Sequence, residues 1–491
     1  MNGNGDLEFL QPGRNCWRVE TAARARVVVD ACEYFRVVRR AMLRAREQIL
    51  LIGWDFDTRI TLDHDVDGED GAPARLGPFV LWLSEHRPDL RIYILKWDLG
   101  ALKLLGRGRS MLMAARWAAH ERITFKLDGA HPPGCSHHQK IVVIDDAFAV
   151  CGGIDMTADR WDTPEHLDGD PRRRRPGGQP YGPWHDLTMV VDGACAKALG
   201  ELGRDRWECA SGDRPPRPAP GADPWPPELA PMFAQAELGI ARTRAAYAER
   251  PKVAEIETLF VDQIATAERL IYIETQYFTS RRIAEAIAAR IAEPDPPEIV
   301  IVGPLQADGW LEQVAMDHAR VRLARSIVAR DHGRRFRIYT PHTAAGDPIY
   351  VHAKLLIADD RILRVGSANM NNRSMALDSE CDLVLDARLA ANAAHRPAIR
   401  ALRHRLLAEH LGLPVAALAA ELDRHQGSMI AAIDAQPAGG PGLRPLDLTP
   451  PGEVETFIAD NELLDPEHPD GFLEPIARRS LFRRRRLLQP R

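Results

Sequence analysis

The sequence predicts an α/β protein built as two similar lobes, each a mixed β-sheet flanked by helices, with one active site at the lobe interface. A duplicated polar pattern is the first support. HHQKIVVIDD holds His138, Lys140 and Asp145, and VHAKLLIADD holds His352, Lys354 and Asp359, each pair 214 residues apart. Gly152, Gly153 and Asp155 recur at the same offset as Gly366, Ser367 and Asn369, so the shared pattern is H-x-K-x4-D-x6-G-[GS]-x-[DN]. Six matched positions at one offset mark a duplicated half-site. The second support is a common order of elements, a helical stretch followed by short apolar strands, on either side of a proline-dense segment.

In the first half a helix over roughly 31–47 precedes the strands QILLIGW, RIYILKW, KIVVID and FAVCGG; in the second, a helix over 253–267 precedes RLIYIE, EIVIVGP, RFRIYT, KLLIAD and ILRVGS. Strands alternating with helical stretches argue for a mixed sheet covered by helices. Runs as short as IVVI and LLIA do not separate strand from buried helix by periodicity. Their β-branched content and the Asp-Asp pairs that stop both favour a strand followed by a tight turn. Side chains alternate faces along a strand, so His138 and Lys140 share one side, as do His352 and Lys354.

Proline removes backbone donors and keeps the chain extended, which makes SGDRPPRPAPGADPWPPELAP at 211–231 a linker. The expected domains are a first lobe at 1–210, a second at 232–440 and a C-terminal extension at 441–491. The Ala-, Leu- and Arg-rich stretch from 390 to 435 reads as helical, and QPAGGPGLRPLDLTPPGE after it as a loop.

The halves differ most after the repeated pattern. Thirty residues separate Asp155 from Asp186 and ten separate Asn369 from Glu380, so the first half carries an insertion of 20. The insertion contains EHLDGDPRRRRPGGQPYGP and is expected to form a surface loop at the rim of the site. Its four arginines, 172–175, suit both a solvated loop and contact with an anionic headgroup. Alignment across the insertion sets Asp186 opposite Glu380, each six residues before an aspartate, Asp192 and Asp386. An acid position is therefore duplicated as well.

At 491 residues the chain is long enough for two or more domains, and 45% hydrophobic with 27% charged residues is ordinary for a soluble protein. A net charge of -5 disfavours a nonspecific nucleic-acid binder. The last 14 residues hold seven arginines and no acid, leaving the remainder at -12. The longer segment FLEPIARRSLFRRRRLLQPR mixes Arg with Phe, Leu and Ile, as interfacial segments do, although a disordered basic tail is the default. Seven scattered cysteines without a C-x-x-C pair point to reduced thiols and indicate no zinc site. Cys135 and Cys151, near the first pattern, read as inert. No stretch reaches the ~18 apolar residues of a membrane span and the start lacks a signal peptide. The expectation is a cytoplasmic monomer that visits a membrane surface peripherally.

These residues carry a resemblance: the chain is similar to two-motif members of the phospholipase D superfamily, in the two patterns and in LLIGWDFD, WHD, IYIETQYFT and GSANMNNRSM. The similarity covers most of residues 30–390, with Asp155 departing from the more usual Asn that the second half has at Asn369. A phosphodiester is anionic and resists attack, so its cleavage needs a nucleophile, a proton donor for the leaving alkoxide and positive charge about the nonbridging oxygens. Two His and two Lys supply all three, and the reading assigns neither cofactor nor metal. The resemblance makes His138 the nucleophile and His352 the acid; the symmetry of the sequence does not order them. Lys140 and Lys354 are expected on the equatorial oxygens, with Asn369 and Ser367 as neutral donors. Asp186 and Glu380 are the implied carboxylates behind the imidazoles, each expected to serve the His of its own half.

Asp145, Asp359 and Gly153 read as structural support. Glu274, Gln276 and Tyr277 follow an apolar strand and suit either a cleft lining or a core with a polar end. Packing is favoured for Trp54, Asp55 and Trp161, and substrate contact for Trp184, beside His185 and Asp186. The leading expectation is a phospholipase D that releases phosphatidic acid from phospholipid and also transfers to alcohols. A phosphatidyltransferase of the cardiolipin synthase type is the alternative. A nuclease is disfavoured by the acidic body, and a non-catalytic scaffold by the presence of every His and Lys.

Overall fold

Long paired strands at the centre of one sheet organise the molecule. The computed structural model describes residues 9–64, 71–98, 108–307, 316–437, 439–449 and 465–466. The basic tail at 478–491 lies outside them. In the first half the strands are β1 (Arg18–Val29), β2 (Gln48–Gly53), β3 (Arg91–Trp97), β4 (Ile123–Asp128), β5 (Ile141–Ile144), β6 (Phe148–Gly152), β7 (Trp184–His185) and β8 (Leu187–Asp192). The second half has β9 (Phe233–Arg244), β10 (Val253–Ala254), β11 (Leu270–Thr275), β12 (Glu298–Val302), β13 (Phe336–His342), β14 (Tyr350–Val351), β15 (Lys354–Ala358), β16 (Ile362–Gly366), β17 (Glu380–Asp386) and β18 (Gly442–Pro445).

The sheet runs β4-β3-β2-β5-β6-β8-β1 and continues β9-β17-β16-β15-β11-β12-β13-β18. Each half is thus the other read backwards, with β1 and β9 meeting in the middle. Pairing is parallel within β2-β3-β4 and β11-β12-β13 and antiparallel elsewhere in this path, which makes both halves mixed. The expectation of one sheet per lobe is corrected here, because β1 and β9 join edge to edge from Arg18↔Ile240 to Ala25↔Phe233. Their inward residues Ala22, Ala25 and Ala236 are buried. A second correction concerns the segment after 435, read as loop: β18 pairs antiparallel with β13 at the sheet edge.

Helices cover both faces. They are α1 (Asp30–Leu43), α2 (Leu76–His86), α3 (Gly108–Ala118), α4 (Gly193–Ser211), α5 (Glu255–Thr266), α6 (Arg281–Ile291), α7 (His318–Val328), α8 (Asn372–Ala376), α9 (Arg396–His410), α10 (Val415–Arg424) and α11 (Met429–Asp434). Alternation along β2 sends Leu50 and Ile52 into a core shared with α4 and α9–α11, and Ile49 and Leu51 into one shared with α1 and α2. In the second half Tyr272 enters the first of these cores, while Ile271 and Ile273 enter a third with α5–α7. Among the described residues no helix is long and apolar enough to cross a membrane. The proline-dense segment lies on the first half: Gln48 Nε2 donates to Pro216 O at 2.8 Å, and Trp225 and Leu229 are buried in that half's core.

The Asp-Asp turns show why the duplicated strands stop where they do. Asp145 and Asp146 have φ of 52° and 50°, and Asp359 and Asp360 have 55° and 54°, the left-handed region that a short polar side chain tolerates. Asp145 then accepts from the backbone N–H of Arg46, Glu47 and Gln48 at 2.7–2.9 Å. Asp359 accepts from Glu268, Arg269 and Leu270 at 2.7–3.0 Å. Each thereby pins the entry to β2 or β11, the neighbour of its own strand.

Candidate active site

The repeated histidines stand just ahead of their strands, not within them. Lys140 immediately precedes β5, and Lys354 opens β15. Each lysine turns back on its own turn of chain: Lys140 Nζ donates to His138 O at 3.0 Å, and Lys354 Nζ donates to His352 O. Two parallel bridges between the halves then fix the imidazoles. His138 N–H donates to Ser379 O at 3.0 Å, with Ser379 N–H donating to Ser136 O at 3.0 Å. At the equivalent place β14 pairs in parallel with β7, and His352 N–H donates to His185 O at 2.8 Å.

These bridges decide which carboxylate each histidine meets, and they correct the own-half expectation. His138 Nδ1 lies 2.9 and 3.0 Å from the Glu380 oxygens, and His352 Nδ1 lies 2.6 Å from Asp186 Oδ2. The pairs are crossed because the segment entering each histidine runs beside the segment entering the other half's acid. Glu380 also accepts from Ser367 Oγ and from Ser374 Oγ, the latter at 2.7 Å. Asp186, one methylene shorter, accepts from Leu187 N–H at 2.8 Å. The G/S difference in the repeat follows: a Cβ on Gly153 would lie 2.2 Å from Asp186 Oδ1, whereas Ser367 uses its hydroxyl to hold Glu380. Gly153→Ala is therefore expected to cost about 1–3 kcal/mol of stability and to displace Asp186; matched unfolding temperatures of variant and parent would count against this.

Asp155 and Asn369, equivalent in the repeat, do different work. Asp155 accepts from Trp54 N–H at 3.0 Å and pairs with Lys140 Nζ at 3.3 Å. Asn369 donates its backbone N–H to Ser374 Oγ at 3.1 Å, and its Oδ1 is buried without a hydrogen-bond partner. Lys354 Nζ donates to Gln276 Oε1 at 3.2 Å and lies 3.1 Å from His352 Nδ1.

Both imidazoles and Asn369 line one cavity of about 350 Å³, together with Trp54, Trp97, Asp155, Arg160, Trp184, Gln276, Tyr277 and Ser374. Gln276, Tyr277 and Trp184 thus stand on the cavity wall. Glu274 does not; it is buried behind the site against His185 and His410. Trp54, for which packing was favoured, does both, stacking on Trp97 at 5.6 Å while facing the cavity. Asp55 is buried against Lys96, and Trp161 packs against His64. Trp184 stacks on Tyr350 at 4.5 Å and lies 5.2 Å from the His352 ring.

Arg160 escaped the sequence reading. Its guanidinium lies 4.2 Å over Trp184 and adds a cation to the cavity wall. Its counterpart at the 214-residue offset is Ser374, so the duplication hides it. Of the four loop arginines, Arg173 is buried and donates to Asp162 at 3.0 Å, while Arg172, Arg174 and Arg175 line a separate cavity of about 440 Å³.

Burial sets the charge state. It pulls the imidazoles of His138 and His352 well below their usual range, helped by Lys140 and Lys354 at the first and by Lys354 and Arg160 at the second. It also pushes Asp186 up to about 7 and Glu380 to about 8, and pulls the Lys354 ammonium down to about 7. The empty site therefore holds neutral imidazoles, and an incoming anion would restore protons to it.

The site thus has two imidazoles on one cavity, a carboxyl behind each ring and a buried lysine two residues after each. Residues 260–398 match the family model described as cardiolipin synthase, PLD-like domain. Phospholipase D1 of Saccharomyces cerevisiae is 25% identical over 503 residues, covering 81% of this chain and 29% of the relative. Phospholipase D alpha 1 of Carica papaya is 23% identical over 522 residues, covering 76% and 63%. Cardiolipin synthase A of Pseudomonas putida is 26% identical over 248 residues, covering 50% and 43%. Among solved structures, phosphatidylserine synthase of Haemophilus influenzae aligns with a TM-score of 0.48 at 12% identity, over 83% of this chain and 96% of that one. By this family model and these relatives the chain is similar to the phospholipase D superfamily. It spans less than a third of the yeast enzyme's length.

Proposed function

We propose that the chain is a phospholipase D, cleaving the distal phosphodiester of a glycerophospholipid to phosphatidic acid and a headgroup alcohol. The observation that carries this reading is the crossed pair of imidazole–carboxyl couples facing a single cavity. With the proton on Nδ1 held by Glu380, the His138 Nε2 lone pair is free to attack phosphorus. The P–O bond to the headgroup breaks, and its alkoxide takes the proton from His352 Nε2. A phosphatidyl group is then carried on His138. His352, now neutral, removes a proton from water; the new oxygen bonds to phosphorus as the P–N bond breaks, and the original state returns. An alcohol in place of water gives a new phosphodiester. Lys140, Lys354 and Asn369 surround the nonbridging oxygens, and Arg160 with the Trp184 and Tyr277 rings receives the headgroup.

The substrate is met at a membrane surface as a peripheral encounter, and no cofactor is invoked for these steps. The match to a cardiolipin synthase family model favours one second reading, transfer to the hydroxyl of another lipid. Incubation with phosphatidylcholine, with phosphatidylglycerol and with single-stranded DNA, with and without a primary alcohol, separates the outcomes. Choline release with a phosphatidyl alcohol supports hydrolysis and transfer through a common intermediate; cardiolipin from phosphatidylglycerol supports the second reading; cleavage of DNA alone overturns both.

The pH profile follows from Lys354. An ammonium is charged below its pKa, and burial has brought that pKa to about 7 in the empty site, so its loss should lower kcat/KM for a soluble diester on the alkaline side, while ionisation of Asp186 near 7 and Glu380 near 8 sets the acid limb and makes the profile a bell. Bound phosphate holds the proton on Lys354, so the alkaline limb of kcat should lie at higher pH than that of kcat/KM. A kcat/KM flat from pH 7 to 9 would contradict this assignment.

A further inference from the structure

We infer that a divalent transition metal, with Zn²⁺ the best match, binds in a buried site formed by Asp30, His166, His185 and Glu409, beside β7 and next to Asp186. Their ligand atoms all lie within 4.8 Å of one another. His185 Nδ1 is 2.8 Å from Glu409 Oε1 and 3.4 Å from Asp30 Oδ1, and His166 Nε2 is 3.4 Å from Glu409 Oε1. Four bonds of ~2.0–2.1 Å to a tetrahedral centre place neighbouring ligands ~3.4 Å apart, close to this spacing.

Asp30 Oδ2, His166 Nε2, His185 Nδ1 and Glu409 Oε1 are buried and none has a partner in hydrogen-bond geometry, although the two imidazoles face the two carboxylates as ion pairs at 2.8–3.4 Å. Ring nitrogens and carboxylate oxygens gathered this closely without hydrogen-bond geometry suit a cation that takes lone pairs from several directions. The far side of each imidazole is already oriented. His166 Nδ1 donates to Asp162 Oδ2 at 3.0 Å, and His185 Nε2 donates to Glu274 Oε2 at 2.9 Å. A carboxylate behind a histidine is the arrangement that fixes the tautomer of a metal ligand. Two imidazole nitrogens with two carboxylate oxygens suit Zn²⁺ better than Ca²⁺ or Mg²⁺, which prefer oxygen alone.

The ligands come from the start of α1, the inserted loop, β7 and the end of α9, so the ion would tie both halves together. It would also support the catalytic pair from behind: Asp30 N–H donates to Asp186 O at 2.8 Å, and His352 N–H donates to His185 O at 2.8 Å.

The test is metal analysis of the full chain purified without chelator. About one Zn²⁺ per chain is expected in the parent, with under a tenth of that in His166→Ala and in Glu409→Gln. Chelator-stripped parent should unfold at a lower temperature, recover with one equivalent of Zn²⁺ and not recover with Ca²⁺ or Mg²⁺. Should the variants fail to fold, X-ray absorption on the Zn²⁺-loaded parent replaces them and should show two imidazoles with oxygen. Parent protein that holds no transition metal and whose unfolding is unmoved by added Zn²⁺, variants that hold as much as the parent, or sulfur at the ion would each overturn the site.

Discussion

His138→Ala is expected to lower kcat for phosphodiester turnover by on the order of 10⁴- to 10⁶-fold while leaving the unfolding temperature near that of the parent. The size follows from the proposed chemistry. In that chemistry His138 Nε2 is the atom that bonds to phosphorus, so its loss removes the attacking group. Its ring packs at the cavity wall and meets Glu380 through Nδ1 alone, so truncation removes the attacking atom with little of the core. His352→Ala should cost less with an activated leaving group than with a lipid headgroup, because a good leaving group needs no proton. A loss that is equal for both substrates would mean that His352 is not the acid.

Glu380→Gln is the second large effect, with a loss of about 10²- to 10⁴-fold expected by analogy of role with other carboxylate–imidazole couples. Glutamine keeps the shape and offers an amide where Nδ1–H needs an acceptor, so the ring is free to take the wrong tautomer. The crossing makes a sharper prediction. Histidine-selective NMR titration of the variant should shift the His138 resonance and leave His352 unmoved, and Asp186→Asn should do the reverse. Own-half pairing would give the opposite assignment in both.

Much of this site was legible before any coordinate. The 214-residue offset identified both imidazoles and both lysines, and the shared distance to a following aspartate identified Asp186 and Glu380 across a 20-residue insertion. The crossing was not legible, because equivalence in a repeat says which residues play the same part and not which ones meet. That depends on Ser136 and Ser379 running side by side, and on β7 beside β14.

The central strands were missed for a different reason. RVETAARARVVV and FAQAELGIARTR are rich in Ala and Arg, with few β-branched or aromatic residues in their first halves, and so carry little strand signal. Their stability comes from long mutual pairing, which is a tertiary fact. Arg160 was hidden by a serine at its equivalent position, and the four proposed metal ligands by a separation of nearly the whole chain between Asp30 and Glu409. No local spacing announces such a cluster.

That both histidines serve a single phosphorus is tested most directly by trapping the intermediate. A radiolabelled diester with an activated leaving group is mixed with enzyme, quenched at alkaline pH and mapped by peptide. One phosphoryl group per chain, on the peptide that carries His138, is the predicted result, and it should persist longer in His352→Ala. Two labels per chain, one on each histidine, or no label at all under turnover, would contradict a shared site.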